Sequence, residues 1–182
     1  MQKFLLHTCC APCSIAVIDE LRPQFELTVF FYNPNIFPEE EYLKRKAEVV
    51  KVCGEWSIPM VDMDYDAEEW HARVAKGLES EPEGGLRCLL CFKFRLAKAA
   101  QYAAENGYKY FGTSLTMGRN KNAAVINPIG ESFAKIYKIK FYSEDWKKGG
   151  RQEKGRKMVE ERGIYRQNYC GCKFSRKMKI ED

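Results

Sequence analysis

Lys3-Phe4-Leu5-Leu6-His7 runs into Thr8-Cys9-Cys10-Ala11-Pro12-Cys13, after which Ile15, Ala16, Ile18 and Leu21 recur at helical spacing. A short apolar strand therefore turns tightly into a helix. Pro12 suits the first turn of that helix, where its missing N–H would have had no partner. The same alternation continues outward from this unit. Phe25–Tyr32 is a second predicted strand, stopped by Asn33-Pro34-Asn35, and is followed by a helix over Glu40–Glu55, a strand over Ile58–Met63 and an amphipathic helix over Ala67–Leu78. Glu79–Gly85 is a polar loop. Cys88–Glu105 is an Ala-rich helix closed by Asn106-Gly107. Tyr108–Ser114 is then a strand, Pro128–Tyr137 a helix, Ile139–Tyr142 a strand, and Gln152–Arg162 a helix ended by Gly163. Strand and helix alternating from end to end predict an α/β fold, a single domain over residues 1–182 with a mainly parallel sheet and helices on both faces. Ligands of such sheets bind beyond the carboxyl ends of the strands, and Cys9-Cys10 falls at one of those ends.

A chain of 182 residues buries enough surface to fold without a metal or a disulfide, so its eight cysteines need a chemical explanation. A hydrophobic content of 45% with 30% charged residues excludes wholesale disorder. No apolar run approaches the roughly 18 residues of a membrane span. Met1–His7 lacks the apolar stretch of a signal peptide, so a cytoplasmic protein with no membrane partner is expected. The net charge of +5 is unevenly placed. Residues 1–134 hold 15 Lys and Arg against 18 Asp and Glu, whereas residues 135–182 hold 15 against 7. A polyanion would meet that basic C-terminal segment first; the plain alternative is a solvated helix surface.

Seven cysteines fall in tight groups, Cys9, Cys10 and Cys13, then Cys88 and Cys91, then Cys170 and Cys172, while Cys53 sits in a helical apolar pattern that marks it as core. A structural disulfide framework is not expected in a reducing compartment. Cys88 and Cys91 stand one turn apart at a helix start, where the partial positive charge favours thiolates. Cys9 and Cys10, on a turn, can face the same centre. Four thiolates suit a tetrahedral zinc or a [4Fe–4S] cluster, and spacing alone does not choose between them. Cys13 has three readings: an outer ligand, a ligand to a second metal, or a small buried hydrophobe. In Cys170-Gly171-Cys172 the outer α-carbons lie at most about 7 Å apart, so a disulfide is reachable only with local strain, which Gly171 permits. That pair is a candidate electron relay or a set of extra metal ligands, with incidental surface thiols as the bland alternative. His7 and His71 fit no ligand or nucleophile spacing. Phosphate-loop, dinucleotide and serine-hydrolase motifs do not occur, which leaves sulfur and metal to carry the chemistry.

Over about residues 4–177 the chain resembles the QueH-type epoxyqueuosine reductases. The resemblance rests on Cys9-Cys10-Ala11-Pro12-Cys13, Tyr32-Asn33-Pro34-Asn35-Ile36, Glu41-Tyr42-Leu43-Lys44-Arg45-Lys46, Arg87-Cys88-Leu89-Leu90-Cys91-Phe92, Lys121-Asn122, Ile129-Gly130 and Tyr169-Cys170-Gly171-Cys172. It implies a fold similar to the adenine-nucleotide α-hydrolase (HUP-like) domains and reductive removal of the epoxide oxygen from epoxyqueuosine in a tRNA anticodon loop, the last step to queuosine. It also implies a [4Fe–4S] cluster on Cys9, Cys10, Cys88 and Cys91, a redox-active Cys170/Cys172 pair, and an electron donor that the sequence does not identify. Thr113-Ser114-Leu115-Thr116-Met117-Gly118-Arg119-Asn120 departs from the family pattern, while Lys121 and Asn122 keep it as candidate substrate contacts. Asn33, Asn35, Tyr42 and Arg45 are candidate contacts of the pocket, against plain turn and helix-surface roles.

Turning an epoxide into an alkene takes two electrons and two protons, whereas such a cluster passes one electron at a time, so a second redox device is required. Cys170 with Cys172, or an adjacent metal ion with Cys13 as a candidate ligand, would supply it. Asp145 is the candidate proton donor. The main rival is a zinc-bearing RNA-binding module that uses the same cysteines structurally. A tRNA thiolation enzyme of related fold would need a glycine-rich phosphate loop after the first strand, and the Cys-Cys turn stands in its place.

Overall fold

The computed structural model describes residues 1–176, and in it five strands form one wholly parallel sheet. In chain order the elements are β1 (Lys3–His7), α1 (Ala11–Leu21), β2 (Glu26–Phe31), α2 (Glu39–Glu55), β3 (Met60–Asp62), α3 (Ala67–Trp70), α4 (Leu86–Glu105), β4 (Tyr110–Thr113), α5 (Ala123–Tyr137), β5 (Lys140–Phe141) and α6 (Arg151–Glu161). The strand order is β3-β2-β1-β4-β5. β1 is central, with Leu6 beside Val29 of β2 and Gly112 of β4. Its side chains alternate between two cores, as a strand covered on both faces requires. Phe4 and Leu6 join the core under α1, α2 and α6, and Leu5 joins Phe30, Phe111 and the alanines of α4. The expected α/β fold is the observed one.

Two close approaches set the layers. A Cβ on Gly130 of α5 would fall 2.4 Å from the Phe141 ring of β5, so only glycine lets that helix lie on the sheet edge. On the opposite face Arg151 of α6 holds both carboxylate oxygens of Glu20 at 2.8 Å, which ties α6 to α1. From β1 the chain steps to β2 and β3 on one side, then crosses to β4 and β5 on the other. The carboxyl ends of β1 and β4 therefore flank the crevice where the strand order reverses. Thr8-Cys9-Cys10 leaves one end, and a 3₁₀ turn at Ser114–Met117 leaves the other.

Several local expectations shift. The helix predicted over Pro128–Tyr137 starts at Ala123, because Asn122 caps it by accepting the Ala124 N–H at 2.9 Å, and Pro128 lies inside it. The helix predicted over Ala67–Leu78 is α3 followed by a wider π-helical turn, His71–Ala75, and the chain leaves it at Gly77 with φ +80. Among the described residues no helix is long and apolar enough to cross a membrane. Residues 177–182 of the basic segment lie outside the described residues.

Candidate active site

Cys10 occupies the N-cap of α1 in extended backbone, so the turn after β1 delivers Cys9 and Cys10 to a helix start with Cys13 one turn further on. The three Sγ atoms lie within 4.8 Å of one another, and those of Cys9 and Cys10 are 3.7 Å apart. Hydrogen bonds from Cys10 and Cys13 hold Cys9 well below the ordinary thiol range against the opposing effect of burial, and the Arg95 charge adds to the pull. Cys13 draws Cys10 down, but the Cys9 hydrogen bond, burial and the Cys9 charge outweigh it and push Cys10 up to about 12. Cys13 is pushed up as well, first by its hydrogen bonds to Cys10 and Cys9 and then by burial. One anion is easily formed here, and a second is opposed by the first. A bound cation would remove that conflict, as thiolate metal sites require.

α4 carries the second pair. Cys88 Sγ accepts the Gly84 N–H at 3.2 Å, and Cys91 Sγ accepts the Trp70 indole N–H at 3.4 Å. Such donors orient thiolates and stabilise their charge. Cys9 packs on the cluster of Cys88, Phe92 and Leu115, while Cys91 shares a cluster with Trp70 and Cys172. The donor set is soft sulfur throughout, which suits zinc or iron–sulfur and disfavours magnesium or calcium. The residues present thus fit a thiolate-bound metal centre.

A C-terminal arm closes over these sulfurs. Arg45 of α2, ion-paired to Glu41 at 2.7 Å, donates to the carbonyls of Cys170 at 2.9 Å and Tyr169 at 3.3 Å. The Phe37 N–H bonds the Gly171 carbonyl at 2.8 Å. Gly171 has φ +146, and a Cβ there would crowd Arg45, Asn35 and Ile36 at 3.2 Å, so glycine permits this seat. The arm brings Gln167 Nε2 to 2.9 Å from Cys10 Sγ and Cys170 Sγ to 2.8 Å from Lys121 Nζ. All eight cysteines are free thiols. The disulfide within reach of Cys170 and Cys172 is not formed here: Cys170 turns to Lys121, while Cys172 is buried beside Trp70 and Cys91. Arg45→Met is expected to cost roughly 3 kcal/mol, because it leaves a half-buried Glu41 without its cation. It should also open the arm to proteases between residues 165 and 175, checked by thermal denaturation and limited proteolysis.

The predicted contact residues divide. Asn33 is buried, donating to the Thr8 carbonyl and accepting from Arg95, and Tyr42 is buried with its hydroxyl on the Met63 carbonyl. Asn35 is buried too, and its Oδ1 has no partner among the described residues. These residues, with Arg45, support the site from beneath. Asn122 is spent as a helix cap. Asp145 Oδ1 accepts the Lys147 N–H at 3.3 Å within its own turn and does not line the groove. Lys121 does line it, together with Cys9, Cys13 and Cys170, in a groove of about 2280 Å³.

A family model described as epoxyqueuosine reductase QueH matches residues 4–178. The chain belongs to that family. Curated members named epoxyqueuosine reductase QueH include one from Histophilus somni, 43% identical over 175 residues, which cover 95% of this chain and 72% of that protein. One from Acinetobacter baylyi is 44% identical, covering 95% and 80%, and one from Thermotoga maritima is 39% identical, covering 96% and 91%. A solved structure, the U34-tRNA thiolase NcsA from Methanococcus maripaludis with its [4Fe–4S] cluster, aligns with a TM-score of 0.55 over 96% of this chain and 61% of its own. At 13% identity that likeness shows the fold alone.

In this QueH-family chain, sequence spacing missed two buried groups, Arg95 and His7. Arg95 donates to the Cys91 carbonyl and to Asn33 Oδ1. Lys121, a candidate substrate contact, lines the groove with its ammonium on Cys170. His7 is held down to about 3 by burial and by the Arg95 charge, so it is neutral. Nε2 of His7 donates to the Tyr32 carbonyl and Nδ1 accepts from the Thr113 hydroxyl, which joins β1, β2 and β4 at their carboxyl ends. One signal was available in the sequence. Arg87, Cys91 and Arg95 recur every four residues and so share one face of α4.

Proposed function

We propose that this chain reductively removes the epoxide oxygen of epoxyqueuosine in tRNA, giving queuosine, with Cys9, Cys10, Cys88 and Cys91 holding a [4Fe–4S] cluster. The observation that carries this reading is that Cys9 packs on the cluster of Cys88 and lines one groove with Cys13 and with Cys170 of the arm, in a member of the epoxyqueuosine reductase family. When bound, the cluster supplies single electrons and a Lewis-acidic iron. Cys13, exposed to the groove, is the candidate ligand for a second, adjacent metal.

The reaction consumes two electrons and two protons and releases water. Cys170 and Cys172, both free, carry that complement as thiols: forming a disulfide between them would release two electrons and two protons, and an external donor would then restore them. Lys121 Nζ fixes Cys170 Sγ at the groove floor and is the protonated group nearest to it. Asp145, capping its own turn, does not reach the groove. Lys147, Arg156, Arg166, Lys173 and Arg176, all from the basic C-terminal segment, join Lys44, Arg119 and Lys121 in the groove lining and outnumber its five glutamates, Glu40, Glu41, Glu79, Glu83 and Glu153. That lining suits a tRNA anticodon loop, whose unpaired bases can be splayed into a pocket. The compartment this implies is the cytoplasm.

The test is anaerobic purification followed by incubation with tRNA carrying epoxyqueuosine and a low-potential reductant. A brown protein with iron and sulfide, and nucleosides that have lost one oxygen, are the expected results. A colourless zinc protein that binds tRNA without turnover would favour the zinc-bearing RNA-binding module.

A further inference from the structure

Along one face of α4, Arg87, Cys91 and Arg95 follow one another at single-turn spacing, and the two arginines are 1% and 2% exposed. A guanidinium cannot shed its charge, so burying one requires an anion or a dense set of acceptors. Arg45 has Glu41. Arg87 has the carbonyls of Leu78, Glu79 and Glu81 and lies over the Phe174 ring. Arg95 has neither. Its hydrogen bonds go to the Cys91 carbonyl at 3.5 Å and Asn33 Oδ1 at 3.3 Å, and it makes no ion pair among the described residues. Two long hydrogen bonds to neutral oxygens do not offset a charge at that depth.

Arg95 stands one turn beyond Cys91 and bonds its carbonyl, lies 6.0 Å from the Phe92 ring, and through Asn33 reaches the carbonyl of Thr8, the residue before Cys9. We propose that Arg95, with Lys121 as a second buried cation, is the fixed positive charge that balances the thiolate centre and raises the reduction potential of the cluster held there. This rests on the cluster reading above. Burial opposes the Arg95 charge, yet Cys91, Cys9, Cys170 and Cys88 together favour it, so four sulfurs from three separate segments act on this one group. Lys121 is governed likewise: burial opposes its charge, and Cys170 restores it. Reduction adds one negative charge to a cluster that its thiolates already make anionic. A cation fixed close by in a poorly solvated site stabilises the reduced form more than the oxidised form. Arg95 is thus a positioning and tuning residue that acts through the sulfurs without touching substrate.

The experiment is a spectroscopic redox titration of the loaded protein and its variants. Arg95→Gln, which keeps a donor for Asn33 and removes the charge, is expected to retain the visible spectrum. At the wild-type midpoint it should show an about tenfold lower ratio of reduced to oxidised centre, a shift of about 59 mV to more negative potential for a one-electron couple. Arg95→Lys, which keeps the charge, should titrate close to wild type. A coloured Arg95→Gln protein with the wild-type midpoint overturns the inference and leaves the cluster reading standing; a wild-type protein that assembles no cluster removes that reading first. Should Arg95→Gln fail to fold, Lys121→Gln carries the test. Its midpoint is expected to move in the same direction by a smaller amount, and an unchanged midpoint there counts against the inference equally.

Discussion

Cys170→Ser is expected to leave the protein brown and to lower turnover on epoxyqueuosine-containing tRNA by roughly a thousandfold or more, the scale of loss when one member of a catalytic unit is removed. The expectation follows from how the arm is seated. Arg45 and Phe37 fix the backbone around Cys170, so the serine hydroxyl would occupy the same place beside Lys121 Nζ. Geometry is kept and only the redox capacity of sulfur is lost. Cys172→Ser should behave in the same way, because a two-electron couple needs both thiols. Single-turnover assays together with iron and sulfide analysis read the two properties separately. Colour lost from either variant would make that residue a ligand and move the second redox device elsewhere. Near-normal turnover in both variants would remove the arm from the chemistry.

What the sequence made legible, and what it did not, follows from the range of the forces involved. The β1–turn–α1 unit could be read because strand alternation, the Pro12 signal and helical periodicity are all local. The cysteine groups could be read because ligand spacing is also local. Pro128 misled because proline marks a helix start in general, whereas here the Asn122 cap begins the helix five residues earlier. Tyr42 and Arg45 read equally as pocket contacts and as helix-surface residues, and both are buried. The partners that bury Arg45, the carbonyls of Tyr169 and Cys170, lie more than 120 residues away in the chain. Asp145, the candidate proton donor, holds the Lys147 N–H within its own turn and is not among the groove-lining residues, an arrangement that depends on a turn and not on spacing. The charge of Arg95 acquires meaning only once β1, α4 and the arm are brought together, and no spacing rule contains that meeting. The four-residue ladder on α4 was visible, but its significance depends on burial.

Removing the α4 thiols should separate the two groupings that the molecule presents. Cys88→Ala and Cys91→Ala are each expected to weaken retention of the centre by at least about a hundredfold, since losing an outer-shell partner alone costs roughly 10- to 100-fold. Turnover should fall to background with it. Cys13→Ala is expected to keep the brown colour. The reason lies in what each sulfur already receives. Cys88 and Cys91 accept N–H groups from Gly84 and Trp70, donors placed where thiolate charge needs support. Cys9 is the most readily ionised of its three and lies against the Cys88 cluster, so Cys9 and α4 face one centre. Cys13 is held protonated by its neighbours and opens to the groove, a position suited to a second metal or to none. Metal and sulfide content after anaerobic reconstitution decides the matter. Colour that survives Cys88→Ala and disappears in Cys13→Ala would place the centre on the Cys9, Cys10 and Cys13 turn alone. The charge of Arg95 would then have to be matched by Cys9 without the sulfurs of its own helix.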